Sequence, residues 1–192
     1  TKVEIMIPGK SDIGFTPDAA LYTANQLRKK GADIYIYNGG FHHSKMIADG
    51  LLSFSGERES LDKNLWQSFD DFSLTLKLPI LDYFRFSSDA HKEKMLHIMN
   101  DKDENQELRF SAIRYFAKYH YKPALDGLYT FTTENSPIWE YKAITATALR
   151  NYPSEKTEKI LKDLLCDSNW YVRYNAADSL ERLGVKYEEM ID

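Results

Sequence analysis

The chain has 192 residues, 43 % of them hydrophobic and 28 % charged, with 25 basic against 29 acidic side chains and a formal net charge of −4. That composition fits a folded globular protein with one substantial core or two small ones, and it excludes collagen, a disordered chain and a disulfide scaffold. Neither part of the chain carries a basic excess when it is divided after Phe86 (10 basic with 11 acidic, then 15 with 18), so nucleic acid is not an expected partner.

In chain order, Val3, Ile5 and Ile7 alternate with Lys2 and Glu4 as in a strand, which Pro8-Gly9 ends. Thr16-Pro17 starts a helix that runs through Ala20, Ala24 and Leu27 and stops at Gly31. A second strand spans Asp33 to Tyr37, followed by the turn Asn38-Gly39-Gly40 and short apolar stretches at Met46-Ile47 and Leu51 to Phe54. Residues 57 to 67 form a polar seam. Ser68-Phe69-Asp70-Asp71 could cap a helix, but Phe72, Leu74, Leu76 and Leu78 alternate with polar residues up to Pro79, and that period predicts a strand joining the earlier ones. The fold class expected is therefore mixed: an incomplete α/β piece over 1–80, a connector at 81–87 and an all-α repeat region over 88–192.

The helical part repeats. Leu108-Arg109-Phe110-Ser111-Ala112, Tyr141-Lys142-Ala143-Ile144-Thr145 and Val172-Arg173-Tyr174-Asn175-Ala176 align, with basic residues at 109, 142 and 173. A compact residue follows three positions later and a large apolar one, Phe116, Leu149 or Leu180, seven later. Shorter helices at about 89–99, 122–132 and 155–166 precede them, so the unit is a helix pair. Asp103, Ser136, and Asp167 or Ser168 stand where the second helices need N-caps. Trp139, Tyr141, Trp170, Tyr171 and Tyr174 cluster at the starts of second helices, where they either pack between repeats or form a partner-binding stripe.

This pattern resembles the HEAT-repeat family over about 88–185, most clearly at Asp167-Ser168-Asn169-Trp170-Tyr171-Val172-Arg173-Tyr174-Asn175-Ala176-Ala177. The resemblance implies a curved α-solenoid of about three helix pairs that binds a protein partner on one face. Arg109, Lys142 and Arg173 are then structural repeat positions, and Trp139, Tyr141, Trp170 and Tyr171 the protein-binding candidates. Repeat two departs from the pattern at Lys142 and Thr145.

The most reactive-looking cluster is Gly39-Gly40-Phe41-His42-His43-Ser44-Lys45. A His and a Lys two apart on a strand share a face, so His43 and Lys45 could converge on one phosphate; a polar turn leading into an edge strand is the alternative. With Val3-Glu4-Ile5-Met6-Ile7-Pro8-Gly9-Lys10-Ser11-Asp12, a helix and Gly31-Ala32-Asp33-Ile34-Tyr35-Ile36-Tyr37 ahead of it, the segment 2–56, loosely to 80, resembles the last HxK half of the phospholipase D superfamily, and most of all bacterial cardiolipin synthases. That resemblance implies attack of His43 on phosphorus, a second His as acid and Lys side chains on the phosphate oxygens. The acid corresponding to the family's Asp is Asp49, four residues after Lys45 where the family has five. Gly56-Glu57-Arg58-Glu59 replaces its Gly-Ser/Thr-x-Asn segment, and His120-Tyr121-Lys122 lies between repeat helices rather than after a strand.

The remaining histidines, His42, His91 and His97, read as structural or solvated, and neither a metal nor another cofactor is expected. Cys166 has no disulfide partner and reads as a packed thiol in a reducing compartment. No run approaches the ~20 apolar residues of a membrane span, and Thr1-Lys2-Val3 does not open a signal peptide. The start on a strand-like stretch without Met reads as a piece of something longer. The expected location is the cytoplasm, at the inner face of a membrane if an upstream segment anchors the chain. Two functions compete. One is a repeat scaffold binding a protein partner, fused to an inactive phospholipase D-like half. The other is a phosphodiester or phosphatidyl transferase that needs a second HxK from a missing N-terminal half or a partner chain, and with it phospholipid or membrane association.

Overall fold

The structure, a computed structural model, describes residues 4–8, 33–37, 43–133, 136, 138–186 and 188. The chain divides into two compact units, Thr1–Ser53 and Phe54–Asp192. In the first, strands β1 (Glu4–Pro8) and β2 (Asp33–Tyr37) pair in parallel, Glu4 opposite Asp33 through Pro8 opposite Tyr37. The helix expected between them and the turn at 38–40 lie outside the described residues. Helix α1 (His43–Leu52) follows, where apolar stretches leading on from the strands were expected.

The second unit is helical throughout: α2 (Arg58–Gln67), α3 (Leu74–Ser87), α4 (Lys92–Asn100), α5 (Gln106–Phe116), α6 (Leu125–Phe131), α7 (Trp139–Leu149), α8 (Glu155–Leu164) and α9 (Trp170–Arg182). This corrects the mixed α/β class. Among the described residues the sheet is one two-stranded ribbon, everything from His43 onward is helix and turn, and the fold is a helical one. The division falls after Ser53 rather than at 80, and α3 runs unbroken through the expected connector at 81–87.

The predicted strand at 72–78 is the first half of α3. Its alternating leucines bury little, Leu74 and Leu76 being exposed, while Ile80, Leu81, Tyr83 and Phe84 are the residues that enter the core. Ile80, Tyr83 and Phe84 fall at i, i+3 and i+4, and tertiary packing of that helical stripe overrides the local period of two. Pro79 is the sixth residue of α3, where it withholds one N–H from the helical ladder, and the helix continues through it.

The second helices stack in order, α3 on α5, α5 on α7 and α7 on α9, while α4, α6 and α8 pack as first helices on their partners. Helix α3 thus adds a layer ahead of the three pairs read from the repeat. The core between layers is large and aromatic: Tyr83, Phe84, Tyr115, Phe116 and Tyr141 are all buried. Two second helices are capped by Asn side chains, Asn105 Oδ1 accepting from the Glu107 N–H and Asn169 Oδ1 from that of Tyr171, each at 2.9 Å. The caps expected at Asp103 and at Asp167 or Ser168 are displaced; Asp167 instead accepts from the Asn169 N–H at 2.8 Å and turns the chain into the cap. Ser136 is not a cap either, because Ile138 holds the N-cap position of α7. The last helix closes on Gly184 at φ 84°, with the Gly184 N–H on the Glu181 carbonyl and that of Val185 on the Leu180 carbonyl, the two bonds of a Schellman turn.

Candidate functional site

At the starts of α7 and α9 four aromatic rings form a ladder. Trp139 stacks on Tyr171 at 5.3 Å and 17°, Tyr171 meets Trp170 edge-on at 5.2 Å, and Trp170 stacks on Tyr174 at 5.3 Å and 17°. Trp139, Trp170 and Tyr174 are 39 %, 48 % and 57 % exposed, which makes this a contiguous aromatic surface rather than core. Trp170 and Tyr174 are four apart on one helix, so α9 itself sets their overlap. Tyr141 is not part of the surface. It is 2 % exposed, stacked on Phe131 at 4.8 Å with Phe110 against its edge, and its assignment to partner binding is corrected to core. Burial pushes its phenol pKa up. Tyr174, read in the sequence only as one of the aromatic cluster, is the ladder's most exposed ring.

The three basic repeat positions hold the frame behind the ladder. Arg109 donates from Nε to the Met99 carbonyl at 3.1 Å, and its guanidinium lies 5.2 Å from the ring centres of both Phe131 and Tyr141. Arg173 donates from Nη1 to the carbonyls of Asp167 and Ser168 at 2.8 and 2.9 Å. Both arginines thus satisfy carbonyls at the end of, or just beyond, the first helix of their own pair. Lys142 reaches forward to the next pair, its ammonium 2.9 Å from Asp167 Oδ2. Burial works to raise the Asp167 pKa, but bonds from Lys142 and the Asn169 N–H outweigh it and hold the carboxyl below the usual range. Lys142 is thus paired with a carboxylate, and Arg173 spends Nη1 on two backbone carbonyls. Further bonds join α9 to α7: Asn175 Nδ2 to the Ala143 carbonyl at 2.9 Å and buried Ser179 Oγ to that of Ala146 at 2.8 Å.

His43 and Lys45 are residues one and three of α1, and Asp49 lies further along it, exposed. The backbone there is helix rather than the strand on which the pairing of His43 with Lys45 was expected. The side chains of His43 and Lys45 lie outside the described residues, as does His42. Cys166, expected to be packed, is an exposed free thiol.

Comparison with known proteins bears on both segments. Residues 159–186 match the HEAT repeat. The match takes in most of α8, all of α9 and the Schellman turn, so Trp170, Tyr171, Arg173 and Tyr174 stand within a HEAT repeat. A stretch of 55 residues, 28 % of this chain, is 40 % identical to cardiolipin synthases of Listeria welshimeri, Listeria monocytogenes and Listeria innocua, and spans 11 % of their length. No solved structure matches the chain. Among the described residues no helix is long and apolar enough to cross a membrane.

Proposed function

We propose that the chain is a helical-repeat scaffold, an α-solenoid in which the α3–α5–α7–α9 layer displays the ladder Trp139–Tyr171–Trp170–Tyr174 to a protein partner. The observation that carries this reading is the exposure of three of these large rings in one stacked array, two of them within the matched HEAT repeat. Exposed Trp and Tyr supply much contact area for few rotors to immobilise, which is why they dominate binding hot spots. The net charge of −4 and the internal pairing of Lys142 and Arg173 disfavour nucleic acid on this face. A photo-crosslinker placed at Tyr174 would capture the partner, whose affinity is then measured against variants. Trp170→Ala is expected to weaken binding about 30-fold or more, the effect of a hot-spot residue, while moving the denaturation midpoint little. Equal affinity for wild type, Trp139→Ala and Trp170→Ala would overturn the assignment.

A second reading, phosphatidyl or phosphodiester transfer through His43, Lys45 and Asp49, is favoured by the likeness to cardiolipin synthases. An in-line displacement needs one group to attack and another to protonate the leaving oxygen, so this chain would require a second HxK from another chain or a preceding segment. In this reading the chain works at a cytoplasmic membrane face on phospholipid. Phosphodiester turnover that rises with protein concentration and disappears in His43→Ala supports it; activity indifferent to that substitution refutes it.

A further inference from the structure

Helix α2 contributes no fully buried residue, yet it is fastened to the helix stack by two side chains that converge on one histidine. Trp66 Nε1 donates to His91 Nδ1 at 3.1 Å, which leaves Nδ1 without a proton and places the imidazole hydrogen on Nε2. That nitrogen lies 3.2 Å from Asp62 Oδ2, while the other oxygen of Asp62 accepts from the Tyr83 hydroxyl at 2.6 Å. The Trp66 ring stacks on Phe84 at 4.4 Å and 6°, and Phe84 also faces the imidazole at 4.2 Å. On its far side His91 is fixed to the stack: its backbone N–H donates to the Tyr115 hydroxyl, which donates to the Ser88 carbonyl, both at 3.1 Å. The imidazole is thus anchored at the start of α4 and on α5, and it joins two side chains of α2 that also touch Tyr83 and Phe84 of α3.

We propose that His91 is a proton-operated latch: neutral, it holds the last turn of α2 on the stack through Trp66, and protonated, it expels Trp66 and frees that turn while Asp62 stays on the imidazolium. An imidazolium carries hydrogen on both nitrogens, so Nδ1–H would face the indole N–H at the present 3.1 Å, donor against donor. Neither group can accept, and Trp66 is the partner that can leave, because His91 is 7 % exposed and tied through its backbone.

The surroundings set the direction. From α2, the Asp62 carboxylate favours the imidazolium; from α3, Tyr83 spends its hydroxyl on Asp62; from the turn, Ser88 Oγ lies 3.4 Å from Nε2 and Asp89 pairs with Lys92 at 2.6 Å. From α4, the Lys94 ammonium sits 4.6 Å over the Trp66 ring and opposes a second positive charge; from α5, Tyr115 is neutral, its pKa raised by burial. Burial outweighs Asp62 and lowers the His91 pKa. A histidine whose folded pKa lies below its unfolded value of ~6.5 contributes stability in full above that pH, and the contribution fades as pH falls through the folded value. An open cleft of about 340 Å³ bordered by Trp66, His91, Lys94 and Tyr121 gives water a path to the ring.

Hydrogen exchange of residues 63–67 at pH 7.5 and 5.5, corrected for the intrinsic pH dependence and referred to α7, tests the latch. Protection of this turn should fall several-fold in the wild type at the lower pH, towards a ceiling of about tenfold set by the unfolded histidine value. His91→Gln can accept from Trp66 and donate to Asp62 without titrating, and its last turn of α2 should stay equally protected at both values. Equal loss in His91→Gln, or undiminished protection in the wild type at pH 5.5, overturns the proposal. Should His91→Gln fail to fold, nitrogen NMR of wild-type His91 decides: a hydrogen on Nδ1 at pH 7.5 also overturns it.

Discussion

Replacing Tyr141 by alanine is expected to cost about 3–5 kcal/mol of folding stability, the range for deleting a buried aromatic ring. The ring fills the layer between the first and second pairs of the repeat, on Phe131 and against Phe110, and Arg109 stacks over it. Its removal leaves a cavity that three groups border and none can fill. Tyr141→Phe, which keeps the ring, should lose much less. Urea denaturation monitored by circular dichroism reads the difference; an unchanged midpoint for Tyr141→Ala would return the residue to the surface candidates.

The second large effect is expected at Ala176, where leucine should destabilise by about 1–3 kcal/mol through overpacking. Ala176 is fully buried on the face of α9 that carries Asn175 and Ser179 to the carbonyls of α7, so added methylenes must push the two helices apart and strain both bonds. The neighbouring Ala177 borders an open cleft, and Ala177→Leu should be nearly neutral. Equal denaturation midpoints for the two variants would show that the close approach of α7 and α9 is not limited at this position. Repeat two has Thr145 at the equivalent place, and its buried hydroxyl has no hydrogen-bond partner among the described residues.

The repeat region was legible because its signals are periodic and local: basic residues at 109, 142 and 173, a compact residue three further on, and punctuation between helices. Other features depended on contacts far apart in sequence. Four alternating apolar residues at 72–78 outvoted the helix because the stripe that decides it, Ile80, Tyr83 and Phe84, acts only when α5 is there to receive it. Tyr141 and Trp139 look alike in sequence, yet their faces on α7 bury one and expose the other. His91, read as structural or solvated, acquires its partners from Asp62 and Trp66 on a helix that the sequence offered as a polar seam. For His43 and Lys45 the spacing was read on a strand, whereas the backbone there is the helix α1.

The bonds that join successive layers share one further property. Asn175 to Ala143, Ser179 to Ala146 and Asn151 to the Ala117 carbonyl link residues 32, 33 and 34 apart. The stacks of α5 on α7 and of α7 on α9 therefore close loops of about the same modest length, and the entropic toll of closure is alike for both. Assembly can begin at any pair and spread to its neighbours, and a stretched chain would shed its pairs one after another, as an extensible spring rather than a brittle block.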